Sequence, residues 1–140
     1  MAIDVKLTRL YVSRAADGPI DDTPNEVGGR PRPTFHLMVE GDATEAAGDV
    51  KASYTLIIKA RSTSGDTTSF VPMRVEEQVV PATGWSEITS GSNDGFVKRS
   101  DIVVNASDFA GDGLYEFVGT IRLGDGTTST VRSNEFSIII

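Results

Sequence analysis

Apolar and polar residues alternate with a period of two along much of the chain. The pattern occurs at residues 3–13, 35–40, 54–61, 70–80, 96–104, 115–123 and 128–140. A period of two is typical of strands that turn one face to a core and the other to solvent. The sequence therefore predicts an all-β fold of about seven to nine antiparallel strands.

Two of these strands contain irregular positions. Pro72 interrupts the strand at 70–80, and proline cannot donate to a strand ladder, so this strand is predicted at a sheet edge. Leu10, Tyr11 and Val12 follow one another without a polar residue, which predicts a register change there. The alanine-rich piece at 43–47 is too short for a stable isolated helix.

Three long polar stretches separate the strands, at residues 13–33, 40–49 and 81–95. Connections longer than roughly 12–15 residues are uncommon in compact domains and usually functional or disordered. We therefore expect long loops that are available for recognition. The Gly124-Asp125-Gly126 sequence predicts a tight hairpin, because both residue types tolerate positive φ.

One local sequence resembles a known family. The run from Asp108 to Phe117 reads Asp-Phe-Ala-Gly-Asp-Gly-Leu-Tyr-Glu-Phe. It resembles the corner before the sixth strand of immunoglobulin-like sandwiches, where a turn with acidic residues and glycine precedes Tyr-x-Cys. The resemblance implies that the Tyr115 hydroxyl bonds to nearby backbone and that Phe117 stands where the cysteine is expected.

The resemblance covers roughly the last 90 residues in strand order and points to no particular member. It implies an immunoglobulin-like antiparallel β-sandwich of bacterial or phage type, without the disulfide. Residues 1–140 are expected to form one such domain, since their length suits a single core.

Charge and composition exclude several classes of function. The chain has 13 Lys and Arg against 20 Asp and Glu, a net charge of −7, and no cysteine. An acidic chain disfavours nucleic acid and anionic membranes as partners. Residues 1–13 lack the apolar run of a signal peptide, and no stretch approaches the roughly 20 apolar residues of a bilayer span. We therefore expect a cytoplasmic or virion location without membrane insertion.

Few residues offer catalytic chemistry. His36 is the only histidine, and it lies between Phe35 and Leu37, on the solvent side of its predicted strand. The chain has no Gly-x-Ser-x-Gly sequence around a nucleophilic serine. We predict that the protein is not an enzyme and needs no cofactor.

Acidic residues give two further hypotheses, calcium binding and glycoside hydrolysis. The calcium candidates are Asp42 with Glu45 and Asp49, or Asp108 with Asp112 and Asp125; the glycosidase candidates are Glu40 with Asp42, or Glu76 with Glu77. The calcium sets lack EF-hand spacing, and glycosidase carboxylates usually flank an aromatic cleft. A solvated charge cluster is the favoured interpretation of these acids.

Most aromatic residues are needed for the core. Those assigned to it are Tyr11, Phe35, Tyr54, Phe70, Tyr115, Phe117 and Phe136. Trp85, Phe96 and Phe109 remain as candidate contact residues, with Trp85 the first choice if it is exposed.

The final strand ends in three isoleucines, which breaks its alternation. Ile139 points opposite to Ile138 and Ile140, so either the 13–33 loop or a partner subunit must cover it. The loop is the favoured cover.

These observations favour a non-enzymatic structural or protein-interaction module that binds a protein partner or forms a homo-oligomer. Its architecture resembles immunoglobulin-like domains that decorate bacteriophage particles or join tail assemblies. Trp85, Phe96 and Ile139 are the predicted partner-binding residues. One alternative is a carbohydrate- or cell-surface-binding module, which requires an exposed aromatic platform. The other is a small hydrolase, which requires a pocket with converging polar groups and a perturbed pKa.

Overall fold

A computed structural model describes residues 3–63, 70–81, 84–90, 93–109 and 111–140, with backbone only at 70–76, 89–90 and 93–94. The described chain contains eleven strands, one short helix and a 3-10 turn. The strands are β1 Val5–Ser13, β2 Glu26–Val27, β3 Arg30–Pro31, β4 Thr34–Thr44, β5 Ser53–Ser62, β6 Phe70–Val79, β7 Trp85–Ser90, β8 Asn93–Asn105, β9 Gly113–Leu123, β10 Thr128–Arg132 and β11 Phe136–Ile138; the helix is α1 Glu45–Asp49 and the 3-10 turn is Ala106–Asp108.

The long strands form two antiparallel sheets. The first has the order β1-β4-β8-β7, and the second has the order β10-β9-β5-β6, with β11 also paired to β9. The prediction of an antiparallel all-β fold is confirmed. β6 lies at the end of its sheet, as Pro72 predicted.

Side chains from both sheets meet in one hydrophobic core. The ring of Phe35 in β4 lies 6.5 Å from the ring of Phe117 in β9, and Phe136 stacks on Phe117 at 5.2 Å. The sheets approach closely at Gly119, where an added Cβ would lie 2.7 Å from Leu10 Cδ1. Tyr115 and Phe117 are both buried in this core, as predicted.

The register of β1 changes between Leu7 and Arg9, slightly before the predicted position. The extra residue restores an inward direction to Leu10 and Val12, and it turns Tyr11 to the outer face. Tyr11 is buried there, with the Arg9 guanidinium 4.2 Å from its ring centroid. Tyr11 is therefore buried, as predicted, but it lies on the outer face and outside the inter-sheet cluster. The side chain of Phe70 lies outside the described residues.

The predicted loops are shorter than the sequence suggested. Residues 81–95 include β7 and the start of β8, and residues 40–49 complete β4 and form α1. The 13–33 segment stays long but contains the β2–β3 hairpin. Its two-residue turn is Gly28 and Gly29, both at positive φ, the combination that suits a tight hairpin.

The last predicted strand is divided into β10 and β11 by residues 133–135. Ser133 is buried at this break, where its Oγ accepts a 2.9 Å hydrogen bond from the Phe117 N–H. Because of this break, β10 and β11 both pair with β9, each with a different part of that strand. The predicted hairpin at Gly124–Gly126 joins β9 to β10, with Gly126 at positive φ.

Candidate functional site

His36 lies on the outer face of the first sheet. Its Nδ1 is 2.8 Å from an Asp101 carboxylate oxygen on the adjacent strand β8. Its strand neighbours on either side are Ser13 and Val103. The prediction that His36 points away from the core is confirmed, and its contacts are those of a cross-strand pair.

The predicted calcium sets are not assembled. Among the described residues, no three His, Cys, Asp or Glu side chains come together as a potential metal site. Asp112 instead accepts a 2.6 Å hydrogen bond from the Ile140 N–H. Asp125 accepts one from the Thr127 N–H at 2.8 Å, and this bond lowers the pKa of the Asp125 carboxyl.

A polar cluster lies between the two sheets at one end of the core. Trp85 Nε1 donates a 2.9 Å hydrogen bond to the Tyr54 hydroxyl, which in turn donates to Gln78 Oε1. Lys98 Nζ donates to the same Gln78 oxygen at 3.2 Å and lies 5.7 Å from the centroid of the Trp85 ring. Buried polar groups require such partners, so the cluster joins the sheets.

Sequence analysis missed Lys98, a residue that is only 3% exposed. The signal was available, because Lys98 has the same parity in β8 as Phe96 and Ile102, two residues that pack on the core. The same cluster engages Trp85, whose role as a partner-contact residue stays a prediction. The indole N–H is already bonded, and the ring is half-buried against the core.

Phe96 is also half-buried. It lies in β8 and packs closely on α1, where a Cβ added to Gly48 would overlap its ring. Phe109 is buried, with its ring 4.7 Å from that of Tyr115. Trp85, Phe96 and Phe109 therefore do not form the exposed platform that the carbohydrate-binding alternative requires.

Ile139 lies apart from Trp85 and Phe96, at the end of the second sheet. The buried side chain of Asn25 holds its backbone on both sides: Asn25 Nδ2 donates to the Ile139 carbonyl at 2.6 Å, and the Ile139 N–H donates to Asn25 Oδ1 at 3.2 Å. Asn25 belongs to the 13–33 segment. The two bonds place this segment against the Ile139 backbone; cover of the half-buried Ile139 side chain by the segment stays a prediction.

One cleft, with a volume of about 370 Å³, lies in the second sheet beside β5, β6 and the β9–β10 hairpin. Its lining includes Thr55 with its two strand neighbours, Glu77 and Arg122. This lining provides one carboxylate and no histidine. The converging acid–base set that the hydrolase alternative predicts is not among these residues.

The second cleft, of about 210 Å³, lies beside β8 and reaches the core. Buried Leu37, Ile58 and Phe117 form part of its lining, and Asn105 and Asp108 lie with them. It adjoins the half of β8 that β7 does not cover, since β7 pairs only with residues 93–98. Sequence analysis missed this combination of a cleft and an incomplete sheet edge.

The comparisons with known proteins leave the family open. No family model matches the sequence, and no curated protein matches it. Two solved structures of a beta-glucosidase from Kluyveromyces marxianus, one in complex with glucose and one selenomethionine-labelled, are similar at a TM-score of 0.45 and 12% identity. The likeness covers 99% of this chain and 14% of the beta-glucosidase chain. At these values it supports no inference about activity.

No described helix combines the length and the apolar composition needed to cross a bilayer.

Proposed function

We propose that the chain is an immunoglobulin-like β-sandwich that acts as a non-enzymatic structural or protein-interaction module. Two features support the fold assignment. The strand orders β1-β4-β8-β7 and β10-β9-β5 correspond to the ABED and GFC sheets of immunoglobulin domains. The Tyr115 hydroxyl bonds to the Gly111 carbonyl, as at the tyrosine corner of that family.

The observation that carries the functional proposal is the edge of β8 beyond Arg99, on which the described part of the chain places no strand. The edge of β1 is protected by side chains: the Leu7 N–H donates to Ser129 Oγ, and the Val12 N–H donates to Asn134 Oδ1, both at 3.1 Å. A strand edge that keeps free backbone groups favours pairing with another chain.

The engagement of polar side chains supports a non-enzymatic role. His36 is paired with Asp101, and the Tyr54 hydroxyl is bonded within the interior cluster. Nucleophilic catalysis requires a base beside a nucleophile, with a substrate cleft at both. Neither described cleft contains His36.

Within this function, the role we favour is decoration of a bacteriophage particle or connection within a tail assembly. Such a role needs a compact scaffold and a protein partner or a second copy of the chain. It places the protein in the virion or, before assembly, in the cytoplasm.

The experiment combines light scattering over a concentration series with mixing against the proteins encoded by neighbouring genes. We expect either a concentration-dependent oligomer or a complex that buries more than about 1,000 Å². A strict monomer that binds none of these proteins would overturn the proposal.

A further inference from the structure

The open edge of β8 is defined by the unequal lengths of its two neighbours. β4 pairs with β8 from Gly95 to Asn105, whereas β7 pairs with it only from Asn93 to Lys98. The last contact on the β7 side is the Arg99 N–H, which donates to the Gly84 carbonyl at 2.9 Å. Beyond Arg99, the described chain places no strand on that side.

The backbone direction identifies which groups are free. In an antiparallel ladder, successive residues direct their N–H and C=O alternately to one neighbour and the other. The backbone N–H of Arg99 points away from β4. The N–H and C=O groups of Asp101 and Val103, two and four residues later, therefore also point away from β4. No described group pairs with the backbone N–H or C=O of Asp101 or Val103. Another extended backbone is the partner that matches this spacing.

The cleft of about 210 Å³ beside this edge provides a place for a side chain. Its walls include Ile102 and Val104 of β8, and its lining includes the buried residues Ile58 and Phe117. A strand added beside Asp101 and Val103 would direct alternate side chains to this inner face. A cavity of about 150 Å³ accommodates benzene, so the volume of this cleft is sufficient for one side chain of that size.

The outer face and the charge around the edge define the partner further. Val103 is 58% exposed on the outer face and offers an apolar contact to the other alternate side chains. Asp108 is exposed and belongs to the lining of the cleft, in a chain with a net charge of −7. These features favour a basic residue in the docked segment.

We propose that the β8 edge between Asp101 and Asn105 receives an extended segment of a partner protein. An aliphatic side chain of that segment enters the cleft, and a Lys or Arg lies near Asp108. This inference rests on the proposed function, since it specifies how the interaction module binds.

The first experiment selects random nonapeptides displayed on phage against the full chain. The selection is repeated with Val103→Pro, which removes the N–H at the open edge without removing a β4 ladder bond. We expect peptides that alternate aliphatic and polar residues and contain Lys or Arg. These peptides should bind Val103→Pro at least tenfold more weakly than the unmodified protein. Their affinity for the control Val103→Thr, which keeps the N–H, should change little.

Amide hydrogen exchange tests the docking position on the unmodified protein. A selected peptide should slow exchange at Asp101 and Val103 at least tenfold and leave Ile102 unchanged, because Ile102 already faces β4. Circular dichroism and thermal melting show whether Val103→Pro is folded, and the exchange experiment does not depend on that variant. Asp108→Asn should weaken binding severalfold and reduce its dependence on salt.

Equal binding to Val103→Pro and Val103→Thr, or protection at another strand, would overturn the inference. So would a selection that enriches no alternating peptide. A dimer of the chain that Val103→Pro abolishes would assign the edge to a second copy and overturn the heterologous partner. A complex from the mixing experiment that is unaffected by Val103→Pro would preserve the proposed function and reject this binding mode.

Discussion

The hydroxyl of Tyr115 donates a 2.8 Å hydrogen bond to the carbonyl oxygen of Gly111, four residues earlier. The bond closes the corner between the 3-10 turn and β9. The ring of Phe109 meets the Tyr115 ring edge-on within this corner, at 4.7 Å between centroids. One phenol therefore fixes a turn through its oxygen and fills the core through its ring.

Removal of this oxygen should destabilise the fold without changing the packing. We expect Tyr115→Phe to lower the free energy of unfolding by about 1 kcal/mol, because the Gly111 carbonyl loses its bond. Urea unfolding measures the change. The control is Tyr11→Phe, whose hydroxyl accepts a longer 3.3 Å bond from Arg99 on the outer face. An equal loss in both variants would contradict a special role for the corner.

Asn25 should stabilise the chain far from its own position. Asn25→Ala removes both hydrogen bonds to Ile139 and one to the Arg32 carbonyl, so we expect a loss of about 2–3 kcal/mol. Hydrogen exchange should also accelerate at Ile139. Asn105→Ala is the control, because Asn105 is exposed and its side chain makes no capping bond. Unchanged exchange at Ile139 would show that Asn25 does not hold the segment.

Gly48→Ala tests the packing of Phe96. Alanine is favoured over glycine in a helix interior by about 0.8–1.0 kcal/mol, but here its Cβ would overlap the Phe96 ring. Overpacking of about 1–3 kcal/mol should win, so we expect net destabilisation in thermal melts.

The same substitution should become stabilising in a Phe96→Ala background, where the ring is absent. Gly111→Ala, with open space around the added Cβ, is the control and should change stability little. A stabilising Gly48→Ala in the native background would contradict the close contact.

The stability of the β9–β10 hairpin should depend on pH in the acid range because of Asp125. The hydrogen bonds from Thr127 lower the pKa of Asp125 below its ordinary value of 3.8. The ionised carboxylate therefore adds stability above about pH 4, and this stability is lost as the pH falls through the lowered pKa.

Asp125→Asn keeps an acceptor but does not titrate. We expect it to melt below the unmodified protein at pH 7, with the two melting temperatures converging near pH 2. A constant difference across this range would show that the carboxylate charge is not involved.

The strands with regular alternation were predictable because their pattern comes from burial of one face. β7 was missed because Trp85 and Ile88 are three residues apart, so no period of two is visible there. Pairing with β8, rather than local preference, makes this segment a strand. The register change in β1 lies earlier than predicted for the same reason. Pairing with β4, and not the local sequence, decides which β1 residue is left without a partner at the bulge.

The predicted contact residues show a similar limit. Ile139 was identified as needing a cover because its side chain breaks the alternation, but no local signal named Asn25, 114 positions away, as its partner. Trp85 and Phe96 were selected by residue type, which does not reveal that the interior cluster and α1 already engage them. The open edge of β8 depends on how far β7 extends, which is a property of two paired strands.

The side-chain bonds at the edge of β1 have a mechanical consequence. Asn134, in the segment before β11, is bonded both to β1 and to the 13–33 segment, since its Oδ1 accepts from the Val12 N–H and its Nδ2 donates to the Asp21 carbonyl. Tension applied between Val5 and Ile138 would reach these bonds together with the strand ladders. A few serine and asparagine side chains would then share in setting the force at which the two ends of the fold separate.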